Sequence, residues 1–111
     1  MPRGNRPEVE GLGRYNDAGV LILTSLSTGP KHGYALMRDI EAFADTRLAP
    51  GTLYGTLDRL EGRGLVARLP AEERRHPYAL SDAGRAALRT YAESLAQVSH
   101  ELVLRLAPAG A

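Results

Sequence analysis

Apolar positions along this chain change their spacing several times, and each change marks an element. Val20, Leu21, Leu23 and Leu26 follow Asn16 and Asp17, either of which can cap a first helix running to about Ser27 before Gly29-Pro30 stops it. Leu36, Ile40 and Phe43 recur at i, i+4 and i+7, predicting a second helix that starts near His32 and buries that face. Asp45 to Ala49 reads as a short turn. Pro50 suits the first position of a third helix, where a backbone N–H is not needed, and Leu53, Leu57 and Leu60 form its buried stripe. Gly64 fits the left-handed position just past that helix, with Leu65 packing back on Leu60. Three short helices with a tight turn before the third make a helix-turn-helix pattern.

Beyond Gly64 the spacing shortens. Leu65 to Leu69 and Pro77 to Leu80 predict two strands separated by the polar stretch Pro70 to His76, and Pro77 fits the start or edge position that a two-stranded wing offers. Ser81 then caps a long helix, with Asp82 well placed in its first turn against the helix dipole. That helix can run to Leu106 before Pro108 ends it, a rod of roughly 35–40 Å. The expected fold class is mostly α with a small β-wing, a winged helix-turn-helix carrying a long C-terminal dimerisation helix. Its divisions fall at 1–15, a loose arm without apolar periodicity; 16–80, the winged helix-turn-helix; and 81–107, the final helix.

Composition narrows the classes. The 111 residues are the size of one domain, and with no Trp and one Phe the core must be built mainly from Leu, Val, Ile and Ala. A net charge of +1 neither demands nor excludes a polyanionic partner, so a nucleic-acid argument must rest on placement. The absence of Cys excludes disulfides, thiolate metal sites and cysteine nucleophiles. The longest apolar run, Val20 to Leu23, is far too short for a membrane span, so a cytoplasmic protein without a membrane partner is expected. His32, His76 and His100 lie in separate segments, and no HExxH, GxSxG or glycine-rich phosphate loop occurs. No enzyme, cofactor or metal site is therefore expected, and His32 at a helix start reads as a capping or packing residue.

Three constellations carry candidate chemistry. On the last helix Leu88, Tyr91, Leu95, Val98 and Leu102 step alternately by three and four residues, the spacing of a coiled-coil seam. The helix could fold back on its own domain, but three short helices and a hairpin already occupy one another, so the seam predicts a homodimer. On the third helix, burial of the leucines leaves Thr52, Thr56, Arg59 and Arg63 along one flank, and Tyr54, Asp58 and Glu61 along the other. Short polar residues followed by a long Arg suit a helix entering the major groove, although a solvated surface helix has the same texture. At the wing tip, Arg74-Arg75-His76 could clasp phosphates or enter a minor groove, or the arginines could pair with Glu72 and Glu73 at a solvated loop.

Gly29-Pro30-Lys31-His32-Gly33-Tyr34-Ala35-Leu36, the string PGTLYGTLDRLEGRGLV from Pro50 to Val66, and Tyr78-Ala79-Leu80-Ser81-Asp82-Ala83-Gly84-Arg85 together resemble the PadR family of bacterial transcriptional regulators. The resemblance covers about residues 20 to 90, and the length resembles the short form with a single C-terminal helix. It implies binding to double-stranded promoter DNA, usually repression, and release by a small-molecule effector. It implies DNA contacts at Thr52, Tyr54, Thr56, Arg59, Arg74 and Arg75, with Gly51 letting a backbone N–H approach phosphate at a helix N-terminus. Gly33 is expected to let the first two helices approach.

Departures from the family pattern are Ala49, where Ser or Thr is usual and would cap the third helix, Gly55 where Pro is frequent, and Ala79 where a basic residue is common. The drug-binding mode that uses Trp on the last helix does not carry over, because the chain has none. A dimer presenting two recognition helices about 34 Å apart would read a roughly palindromic operator. The alternative is a winged helix that binds a partner protein, which predicts no salt-dependent DNA affinity.

Overall fold

The computed structural model describes residues 17–108; the expected N-terminal arm lies outside the described residues. Six elements follow in order: α1 (Ala18–Leu26), α2 (Gly33–Ala44), α3 (Pro50–Gly62), β1 (Val66–Arg68), β2 (Tyr78–Leu80) and α4 (Asp82–Leu106). Asp17 starts α1, its carboxylate accepting from the Gly19 N–H at 3.0 Å. At the end of α2, Asp45 takes left-handed backbone with φ 52°.

Helix α3 closes with the expected Schellman motif. The Leu65 N–H donates to the Leu60 carbonyl and the Gly64 N–H to that of Glu61, both at 2.9 Å, while Gly64 holds φ 76°. Its other end is poorly capped. Ala49 occupies the N-cap with extended backbone and offers no side-chain acceptor to the first-turn N–H groups. Ala49→Ser is therefore expected to raise stability by about 0.5–2 kcal/mol, measured by denaturant melts of the pair. An unchanged midpoint would mean that this helix end is already satisfied.

The three helices bury Ile22, Leu26, Leu36, Ile40, Leu53 and Leu57 completely. Each such side chain contributes about 1.5–3 kcal/mol on removal from water. Phe43, expected on the buried face of α2, is instead 41% exposed, and Ala44 is buried in its stead. Both 43 and 44 lie about one turn beyond Ile40, and the packing buries the i+4 position, continuing the spacing of Leu36 and Ile40.

Strands β1 and β2 pair antiparallel, Val66 with Leu80, Ala67 with Ala79 and Arg68 with Tyr78. The wing is also stitched to the segment before α2, since Lys31 and Tyr78 exchange both backbone hydrogen bonds at 3.0 and 2.9 Å. Ser81 joins three elements at once. Its N–H donates to the Leu65 carbonyl at 3.1 Å, its hydroxyl donates to the Gly64 carbonyl at 2.7 Å, and the same Oγ accepts from the Gly84 N–H at 2.9 Å. Gly84 is buried where α4 crosses this junction, and a Cβ there would lie 2.0 Å from the Leu65 carbonyl oxygen.

Beyond the junction α4 leaves the body. Leu88 packs partly against the core, Tyr91 is half-buried, and every residue from Ala92 to Leu106 is exposed.

Candidate nucleic-acid interface

Helix α3 presents Gly51, Thr52, Tyr54, Asp58 and Arg59 to solvent. Nothing lies within 4 Å of a Cβ built at Gly51, so the start of the helix is open to close approach. Thr56, expected beside Thr52 on the exposed flank, is 3% exposed. It stands at i+3 from Leu53 and i−4 from Leu60, and the buried sector of a helix packed on one side includes that position; a strict seam of leucines drew the sector too narrow. Its hydroxyl accepts from the Arg59 guanidinium at 3.2 Å, so Thr56 holds the base of the exposed arginine.

Tyr54 is 44% exposed, and the hydroxyl end of its ring rests on Gly33. A Cβ at Gly33 would meet the Tyr54 hydroxyl at 2.2 Å. Gly33 therefore admits α3 to the start of α2, rather than bringing the first two helices together.

The wing tip is a two-residue turn. Glu72 and Arg75 exchange backbone hydrogen bonds at 2.5 and 2.9 Å, and Glu73 and Arg74 between them hold φ 50° and 72°. Positive φ at both central residues is what the twist of a tight hairpin requires, usually met by Asn-Gly. Glu72 does not pair with the neighbouring arginines. Its Oε1 lies 3.1 Å from His32 Nε2 across the groove between wing and α2. Arg74 and Arg75 are exposed and form no ion pair among the described residues.

Other arginines are engaged at home. Arg68 lies 3.5 Å from Asp58 and 3.4 Å from Glu61, with its guanidinium over the Tyr78 ring. Burial pushes the Tyr78 phenol up from its usual range, so it stays protonated at neutral pH. On α2, Arg38 donates to the Tyr34 hydroxyl at 3.3 Å and lies over that ring; this hydrogen bond raises its already high pKa.

Sequence reasoning missed the pairing of His32 with Glu72, forty residues along the chain, because no local periodicity links them. The seam residues of α4 fall into two groups. Leu88 and Tyr91 contact or border their own domain, whereas Leu95, Val98 and Leu102 are 45%, 57% and 54% exposed. Among the described residues no helix is long and apolar enough to cross a membrane.

A third helix carried outward by a three-helix core, a tight wing beside it and a projecting terminal helix define a winged helix-turn-helix protein with an appended helix. Residues 22–90 match the transcriptional regulator PadR-like family, and the chain belongs to that family. It is similar to an uncharacterised 37.1 kDa protein in a transposon of Streptomyces fradiae, at 46% identity over 78% of this chain, but it spans only 25% of that protein. It is 34% identical to a transcriptional regulator of Mycobacterium tuberculosis, with 74% of this chain and 78% of that protein matched. A PadR family transcription regulator from Clostridium difficile has the same fold, with a TM-score of 0.73 and 21% identity over 85% of this chain and 100% of that one.

Proposed function

We propose that this chain is a cytoplasmic, sequence-specific DNA-binding regulator that represses transcription as a homodimer and is released by a small-molecule effector. Residues 16–80 read DNA and 81–107 join the two copies. The observation that carries this reading is the pair Arg74-Arg75, exposed and without ion pairs among the described residues, lining one cavity together with Tyr54 of α3. In this arrangement Thr52 and Arg59 face base edges, while Arg74, Arg75 and the Gly51 N–H face phosphates. Tyr54 contributes from its exposed edge. Thr56 acts through Arg59 and does not itself reach DNA. The homodimer rests on Leu88, Tyr91, Leu95, Val98 and Leu102; an effector bound near that joint would change the separation of the two α3 helices, linking its affinity reciprocally to that for DNA.

The test is a salt titration of binding to an operator selected from random duplexes, and to a scrambled duplex. Arg59→Ala is expected to lose about 1–3 kcal/mol on the operator and to relax preference at one position per half-site. Arg74→Ala/Arg75→Ala is expected to weaken both duplexes alike and to flatten the salt dependence by roughly one unit per lost contact. The opposite pattern would reverse the two roles. If neither variant altered binding, the reading would fail in favour of a protein-binding winged helix.

A further inference from the structure

Lys31 stands in the loop between α1 and α2, and it is the one lysine in a chain whose other long cations are all arginine. Its side chain is only 19% exposed, which lysine seldom accepts unless its charge is met. Three oxygens meet it here. Nζ donates to the Ser25 carbonyl and, at 2.9 Å, to the Thr28 hydroxyl, and it lies 4.0 Å from the Asp39 carboxylate. The Ser25 carbonyl belongs to the last turn of α1, where a helix leaves carbonyls without intrahelical partners and favours a cation. Asp39 of α2 is itself held, because its carboxylate accepts from the hydroxyl of the buried Ser25 at 2.6 Å. A compact ammonium with three N–H donors suits this set of three oxygens.

The backbone of the same residue seats the wing. Its N–H and carbonyl exchange hydrogen bonds with Tyr78 of β2 at 3.0 and 2.9 Å. Strands β1 and β2 are three residues each, and a two-stranded hairpin alone is marginal in water, so this further pairing matters to the wing. The other tie, His32 to Glu72 at 3.1 Å, uses a carboxylate that is 69% exposed, and surface pairs contribute little. We propose that Lys31 is the positioning residue of the wing. Its ammonium, anchored to the end of α1 and to Asp39 of α2, fixes the segment on which β2 is seated, and so sets where Arg74 and Arg75 stand relative to α3. Lys31 itself touches no DNA in this role.

The role rests on the DNA-binding reading for only one of two readouts. Full-length Lys31→Met and Asp39→Asn proteins are compared with the native chain by amide hydrogen exchange and by affinity for a short random-sequence duplex, with thermal melts checking the fold. The Tyr78 amide, bonded to the Lys31 carbonyl, is expected to exchange about tenfold faster in Lys31→Met, while the amides of Ile22, Leu36 and Leu53 keep their protection. Duplex affinity is expected to fall roughly tenfold, since two arginines must then be ordered on binding. Asp39→Asn leaves Ser25 an acceptor and removes only the charge, so it should give the same changes at smaller size. Added to Arg74→Ala/Arg75→Ala, Lys31→Met should cost no further affinity, because the wing then has no arginine left to place. Faster Tyr78 exchange in a protein that binds no duplex supports the role while the DNA reading fails. Tyr78 exchange unchanged in whichever of the two variants folds overturns the role. So does, in a chain that binds DNA, an affinity unchanged by Lys31→Met, or a loss equally large with the wing arginines removed.

Discussion

Gly84→Ala is expected to lose about 3 kcal/mol of stability or more, because among the described glycines its added methyl group meets the nearest backbone atom. The added Cβ would lie 2.0 Å from the Leu65 carbonyl oxygen and 2.9 Å from its carbonyl carbon, both backbone atoms that no rotamer change can move. Overpacking against side chains typically costs about 1–3 kcal/mol. Here relief requires α4 to lift from the strand junction, which also strains the bond from the Ser81 N–H to that same carbonyl at 3.1 Å and the Ser81 hydroxyl bond to Gly64 at 2.7 Å. Domains of this kind have about 5–15 kcal/mol in total, so the variant should melt far below the native protein. Gly55→Ala is the control. Nothing lies within 4 Å of a Cβ there, and an alanine inside α3 should be neutral or add up to about 1 kcal/mol. Equal melting temperatures for Gly84→Ala and the native chain would show that α4 does not depend on this close approach.

Val98→Glu is expected to convert the proposed homodimer to monomer at micromolar concentration. Val98 is 57% exposed in the single chain, flanked along α4 by Leu95 and Leu102, so its side chain contributes little to the fold of one copy. Across the proposed two-fold seam the same residue would come close to its counterpart, and two glutamates there would be desolvated like charges without partners, costing about 3–5 kcal/mol. The dimer dissociation constant should rise about a hundredfold or more. Sedimentation would show half the mass, while the melt of the helix-turn-helix body should change little. Operator affinity should fall as well, because the two half-sites would then be bound independently. A folded, fully dimeric Val98→Glu protein would place the subunit joint elsewhere.

Much of this molecule is legible in its residue order because the signals are local. Asp17, Pro50 and Ser81 start helices through hydrogen bonds or ring constraints that reach at most a few residues. Gly64 ends α3 by a backbone conformation it adopts without penalty. Leu53, Leu57 and Leu60 repeat on one face, so their burial follows from helical period once a core exists. The exposed residues of the candidate interface were legible for the same reason, being what remained after the leucines turned inward.

What depends on which surfaces meet was decided only by the tertiary structure. Thr56 and Ala44 are inside, and Phe43 outside, because neighbouring elements set the width and position of each buried sector, which helical period leaves open. Gly33 and Gly84 are small because Tyr54 and the Leu65 carbonyl arrive against them, one from twenty-one and one from nineteen residues away. His32 finds Glu72 only after Lys31 has paired with Tyr78 and brought the wing beside α2. Caps and periods act over a few bonds and survive in any context, whereas a close approach, a long-range ion pair or a cavity exists only when two distant segments occupy adjoining space.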